Sequence, residues 1–110
     1  MTDCIFCKIV GGNTPTKFIY EDDEIVVFPD LHPKAKTHLL VTPKEHITSL
    51  FAIKDHHSKL LAHILNTLPR LAKQLGLHGF RTIVNTGRDG GQEIDHLHFH
   101  FLAGDLHKIG

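Results

Sequence analysis

Residues 96–102 read His-Leu-His-Phe-His-Phe-Leu, an apolar run with a histidine at alternate positions. Such alternation fits a β-strand, whose successive side chains point to opposite faces. Leu97, Phe99 and Phe101 then fill a burial face, and His96, His98 and His100 share the other. The fold must supply a core on one side of this strand and keep three groups that titrate near pH 6.5 on the other. That arrangement suits a reaction site better than a packing solution.

Four further strands are predicted. Lys17-Phe18-Ile19-Tyr20 and Ile25-Val26-Val27-Phe28 flank the acidic turn Glu21-Asp22-Asp23-Glu24 and read as a hairpin. His38–Thr42 is a third, stopped by Pro43, which cannot donate to a ladder. Phe80–Asn85 is a fourth, and the histidine segment from about Leu97 to Leu102 is the fifth. Leu60, Leu61, Ile64, Leu65, Leu68, Leu71, Ala72 and Leu75 recur at helical spacing and predict one buried stripe. Asp55 is the expected N-cap and Gly76 the expected C′ residue, and Pro69 predicts a bend or a break. The fold class is α+β: a mainly antiparallel five-stranded sheet, one long helix and a short one. At 110 residues the chain reads as a single domain spanning 1–110.

Charge narrows the partners. Lys plus Arg and Asp plus Glu number 12 each, so there is no basic field to hold nucleic acid. No apolar stretch is long enough to cross a bilayer, so no membrane partner is expected. The first residues lack the basic-then-apolar pattern of a secretory signal, which makes the cytoplasm the expected compartment.

Histidine is the compositional anomaly, with 11 copies. The His-x-His pattern suggests metal binding, but strand geometry limits it. His96 and His100 would stand about 13 Å apart, whereas zinc accepts nitrogen at about 2.0–2.1 Å. The three must divide their labour. A neutral imidazole can itself be a nucleophile when its second nitrogen is tied down as N–H. Upstream, Asn85-Thr-Gly-Arg-Asp-Gly-Gly-Gln92 offers backbone amides and glycines able to approach an anion. Beside a histidine nucleophile, with Asn85 and Gln92 as neutral donors, it reads as a phosphate cradle. Arg88 reads as a solvated loop residue. Cys4-x-x-Cys7 can be half a zinc site, a redox pair or two buried thiols, and His46 and His96 are the candidates to complete a Cys2His2 set. His32, His38, His56, His57, His63, His78 and His107 are taken as surface or packing residues.

Together these segments resemble the histidine triad (HIT) family, in its Hint-like branch. The resemblance runs through Asp3–Ile9, Phe28-Pro-Asp30, Thr42-Pro-Lys-Glu-His46 and Asn85-Thr-Gly87, and is most specific over Gly90–Leu102. It implies a hydrolase of nucleoside 5′-phosphoramidates and related purine mononucleotide derivatives, AMP- or GMP-like. In that scheme His98 attacks the α-phosphorus, a nucleotidyl-histidine forms, and water releases the monophosphate. His100 and His46 support the site, backbone around Gln92 and Glu93 holds phosphate oxygens, and Asn85 bonds the phosphate end. Asp30 matches the ribose-binding acid, with Leu31, Phe6, Ile9 and Phe28 around the base. No catalytic metal is implied. Relatives with the cysteine pair bind structural zinc, which here implies Cys4, Cys7, His46 and His96 as ligands. Glu93 stands where many animal members have a serine that assists the leaving group, and a carboxyl with a raised pKa could act there. The tail, residues 103–110, lacks the aromatic end of some relatives. Family members form homodimers, implying a two-fold dimer through the leucine-rich helix and a sheet edge. The competing readings are a purine-nucleotide-binding or partner-binding regulatory protein with vestigial hydrolase activity, and a metal-dependent enzyme using the triad directly.

Overall fold

Period-two burial divides a five-stranded antiparallel sheet into two unlike faces. The computed structural model describes residues 4–106. The strands are β1 (Tyr20–Glu21), β2 (Ile25–Pro29), β3 (Thr37–Pro43), β4 (Arg81–Ile83) and β5 (Phe99–Ala103), in the order β1-β2-β3-β5-β4. Val27 pairs with Val41, and Val41 and Leu39 pair with Phe99 and Phe101. These residues form the main core against helix α2 (Ser58–Gln74), joined by Ile64, Leu68 and Leu71. On the other face Val26, Phe28 and Leu40 pack with Phe6 and Ile9 of the short helix α1 (Ile5–Val10). His100 pairs with Leu40, which puts it on the α1 side.

The α+β class, the five strands and the long helix agree with the sequence reading, but several boundaries do not. The first hairpin is closed by Asp22, whose Oδ1 accepts the Glu24 and Ile25 N–H groups, and β1 shrinks to two residues. Burial pushes the Asp22 carboxyl up, yet those bonds, the Tyr20 hydroxyl and His63 together hold it well below the usual range. The fourth strand covers only Arg81–Ile83. The fifth begins at Phe99, so His96 and His98 precede the ladder rather than sharing its face. The next pairing beyond Val41 and Phe99 would set Leu97 against Pro43, which has no N–H to donate. Leu97 instead donates to the Ile47 carbonyl at 2.6 Å.

Helix α2 runs through Pro69 without a break. The proline deprives the Leu65 carbonyl of its helical donor, and Leu65 lies on the solvent side, 51% exposed. Leu65 and Leu75 therefore leave the predicted stripe, while Thr67 joins it. Asp55 is not the N-cap: it opens a 3₁₀ turn over Asp55–His57, and His57 occupies the cap of α2. At the other end Gly76 adopts φ +70°, Leu77 N–H reaches the Ala72 carbonyl and Gly76 N–H the Lys73 carbonyl, a Schellman stop. Among the described residues no helix is long and apolar enough to cross a membrane. His107 and the last residues of the tail lie outside the described residues.

Candidate functional site

On the α1 face the sheet borders a cavity of about 560 Å³, within the range of small-molecule sites. Phe6 and Ile9 of α1 and Phe28 at the end of β2 line its apolar wall, with Asp30, Leu31, Asn85, Glu93, His98 and His100 around the remainder. The expected base, ribose and phosphate residues thus converge. Leu31 is 87% exposed and stands at the rim. Gly91 also lines the cavity and takes φ +84°, a backbone turn closed to most side chains. Thr14, Pro15, Thr16, His32 and Lys34 line it too, a set that sequence reasoning missed because these residues carry no motif.

The ring nitrogens have distinct duties, set by fixed donors and acceptors. His98 Nδ1 lies 2.8 Å from the His96 carbonyl oxygen, and a carbonyl can only accept, so Nδ1 carries the proton. Its Nε2 is left with the lone pair. Burial pushes the His98 pKa down and so favours the neutral ring, while that hydrogen bond and the Asp30 charge oppose the shift in part. Phe6 packs edge-on against it at 5.0 Å.

His100 is defined from the opposite side. The Lys34 N–H donates to His38 Nδ1 at 3.0 Å, so neutral His38 holds its proton on Nε2. The nearest acceptor is His100 Nδ1 at 2.8 Å, with Asp30 Oδ2 at 3.3 Å. His100 therefore accepts at Nδ1 and keeps Nε2 as a donor. His38, taken from sequence as a surface or packing residue, is buried and part of the site. The only available signal was its parity: it shares a face with Leu40 on a strand destined to pair with the histidine segment. Burial, then the neighbouring His98 and His38, push His100 down to about 4.

This depression has a stability consequence. His100 stays neutral when folded and takes up a proton on unfolding near pH 6.5. Its contribution is fully present above pH 6.5 and is lost as pH falls toward 4. We expect a loss on the order of 2 kcal/mol between pH 7.5 and 4 from this group. Urea unfolding of wild type and His100→Asn at both pH values measures it, and an equal acid loss in the two proteins refutes the assignment.

The loop reading needs correction at Gln92. Its Oε1 accepts the Gly87 N–H at 2.9 Å, and its Nε2 donates to the Thr48 and Ile94 carbonyls at 2.7 and 2.9 Å. Every polar atom of this buried amide is engaged inside the protein, so it cannot serve as a phosphate donor. Its role is to brace the loop. Arg88 is held the same way, by the Gln92 carbonyl and by Asp95 at 3.0 Å, and stays exposed.

Beside the cavity, Cys4, Cys7, His46 and His96 bring four donor atoms together. His96 is fully buried, and its Nε2–H donates to the Pro43 carbonyl at 2.9 Å, aiming Nδ1 at the cluster. That Nδ1 lies 3.3 Å from Cys4 Sγ, 3.4 Å from Cys7 Sγ and 3.2 Å from His46 Nδ1. His46 Nδ1 lies 3.1 Å from Cys7 Sγ. A zinc tetrahedron with ordinary bond lengths has S···N edges of about 3.5 Å and N···N edges of about 3.3 Å. The donor set and its spacing fit zinc within a few tenths of an ångström. Two other clusters, Asp30/His38/His100 and Glu45/His56/His57, do not fit a cation. In each, the central histidine accepts a backbone N–H at Nδ1 and so keeps a proton on the Nε2 that faces the carboxylate.

Residues 3–110 match the family model described as scavenger mRNA decapping enzyme C-term binding. Protein HitA from Neisseria gonorrhoeae is 46% identical over 104 residues, covering 94% of this chain and 97% of that protein. A 14 kDa zinc-binding protein from Brassica juncea is 38% identical over 105 residues, covering 93% of each. The crystal structure of a HIT family hydrolase from Legionella pneumophila is similar at a TM-score of 0.91 and 42% identity, covering 94% of this chain and 95% of that one.

Proposed function

The chain belongs to the histidine triad (HIT) family, and on that premise we propose that it hydrolyses nucleoside 5′-phosphoramidates and related purine mononucleotide derivatives through a nucleotidyl-His98 intermediate. The observation that carries this reading is the protonation pattern: His98 with Nδ1–H bound to the His96 carbonyl, beside His100 with an Nε2–H to offer. A nucleophile and a hydrogen-bond donor stand next to each other in one cavity, their rings 5.1 Å apart.

The purine would lie against Phe6, Ile9 and Phe28 under Leu31, and Asp30 would receive the ribose hydroxyls through the carboxylate oxygen atoms' remaining lone pairs. His98 Nε2 forms a bond to the α-phosphorus as the phosphorus–nitrogen bond to the leaving amine breaks. The amine keeps the electron pair and takes a proton at the open mouth, near Glu93. Water then adds to phosphorus, the His98–phosphorus bond breaks, and the monophosphate leaves with the ring restored. His100 Nε2–H and Asn85 stabilise the charge that develops on the phosphate oxygens. The Glu93 backbone N–H would assist, those of Gly91 and Gln92 being donated to the Arg88 and Gly87 carbonyls, and Lys34 supplies a further positive charge.

Zinc is assigned to Cys4, Cys7, His46 and His96, where it would supply a closed four-ligand clamp with no position left for water. The relative named a zinc-binding protein supports that assignment. The same reading carries a homodimer, with exposed Leu65 on α2 and the β4 edge as its surface, in a cytoplasmic setting.

Rapid mixing with adenosine 5′-phosphoramidate, a denaturing alkaline quench that preserves the acid-labile phosphorus–nitrogen bond, and intact-mass measurement test the chemistry. A covalent adduct of one adenylyl group on His98 is expected. Nucleotide affinity with no adduct and no turnover would instead establish the binding-protein alternative.

A further inference from the structure

The metal cluster and the nucleophile meet in one peptide unit. The His96 carbonyl accepts the His98 Nδ1–H at 2.8 Å, which fixes the tautomer of that ring. The N–H of the same peptide, on Leu97, donates to the Ile47 carbonyl at 2.6 Å. Both ends of this plane therefore run directly into the cluster: His96 is one candidate ligand, and Ile47 follows another, His46. The His96 ring is further pinned by the Pro43 carbonyl at 2.9 Å, and Phe6 packs edge-on against both His96 and His98. Because β5 begins only at Phe99, the peptide lies outside the sheet ladder, and among the described residues no interstrand pair holds it.

We propose that the Cys4/Cys7/His46/His96 metal site is a positioning device for the nucleophile, acting by clamping the His96–Leu97 peptide whose carbonyl orients His98. His46 and His96 are thus positioning residues as well as ligands. With the cluster closed, the peptide plane cannot rotate, and His98 keeps Nε2 deprotonated toward the cavity. With it open, His96 and the Thr42–Ile47 segment can shift independently, the carbonyl leaves the His98 Nδ1–H, and the proton redistributes between the two ring nitrogens. Phe6 and Ile9 of the nucleotide pocket sit on α1, which contains Cys7 and is capped by Cys4, so opening the cluster loosens binding as well as attack, and the His98 tautomer is the readout specific to the clamp. The inference rests on the reading of His98 as nucleophile.

The test compares zinc-loaded protein with protein stripped by a chelator and then reloaded with zinc, with folding checked by circular dichroism. Imidazole ¹⁵N shifts report the His98 tautomer without any turnover. The expected result is a single Nδ1–H form with zinc and a mixture of forms without it. In parallel, kcat should fall roughly tenfold with a loss of AMP affinity beside it, and zinc should restore the tautomer and both activity signals. If stripping unfolds the chain, Cys7→Ser held at saturating zinc replaces it, with an intermediate tautomer mixture expected. A His98 tautomer that is unmoved in the folded stripped protein, or in Cys7→Ser, overturns the inference whatever the activity does. A tautomer that responds in a protein lacking the His98 adduct would preserve the clamp and reject the nucleophile reading instead.

Discussion

Replacing His98 with alanine is expected to lower turnover of an adenosine 5′-phosphoramidate by about 10⁴-fold or more. No neighbouring ring can take over the attack. His100 presents a proton at Nε2, His38 donates toward His100, and His96 directs Nδ1 at the cysteines and Nε2–H at Pro43. Among His38, His96, His98 and His100, only His98 carries a nitrogen lone pair bound to no other group of the site, and His32, which also lines the cavity, is exposed to solvent. The fold should survive, because the side chain makes one hydrogen bond, to a carbonyl two residues away, and lies outside the strand ladder. Affinity for AMP should change little, since the apolar wall and Asp30 remain. Steady-state rates, AMP titration and circular dichroism on the same preparation check all three. Turnover within tenfold of wild type in folded His98→Ala protein would remove His98 from the role of nucleophile.

Much of this site was legible in the primary structure because its elements are periodic. Alternation placed Phe99 and Phe101 in the core and His100 opposite, and the stripe through Ile64, Leu68 and Leu71 located the helix that covers them. The paired cysteines joined the two histidines expected of them. What escaped reading was set by local bonding between distant segments. The absence of an N–H on Pro43 ends the ladder two residues early and frees His96 and His98 for unlike orientations, a consequence visible only once β3 and β5 are in register. Gln92 looked like a donor for a ligand, but three carbonyl and amide groups of its own loop and of Thr48 already saturate it. Leu65 fits the helical period, yet it sits on the solvent side, where the carbonyl orphaned by Pro69 costs least. His38 carries no motif of its own. Its importance comes from the Lys34 N–H, which fixes one nitrogen, and from His100, which faces the other.

That last arrangement makes the second large effect. Replacing His38 with leucine is expected to lower kcat by about 10²-fold, or about 2.7 kcal/mol of transition-state stabilisation. Leucine fills the buried volume but donates nothing to His100 Nδ1, now 2.8 Å from a His38 Nε2–H. The His100 proton can then settle on Nδ1, and Nε2 would turn a lone pair toward an anionic phosphate. A donor that stabilises the transition state becomes a repulsive contact. The pH profile separates this from simple loss of structure. Burial lowers the His100 pKa first, and the nearby His38 and His98 lower it further, so removing His38 raises it. As pH falls toward that pKa, protonated His100 carries N–H groups on both nitrogens and recovers its donor. The defect of His38→Leu relative to wild type should therefore shrink on acidification, in a range where wild-type His100, near pKa 4, is still neutral. His38→Gln, whose amide can still donate toward His100, should stay within about tenfold of wild type. A constant ratio of wild type to His38→Leu across pH 5–8, or equal losses in the leucine and glutamine variants, would show that His38 acts by packing alone.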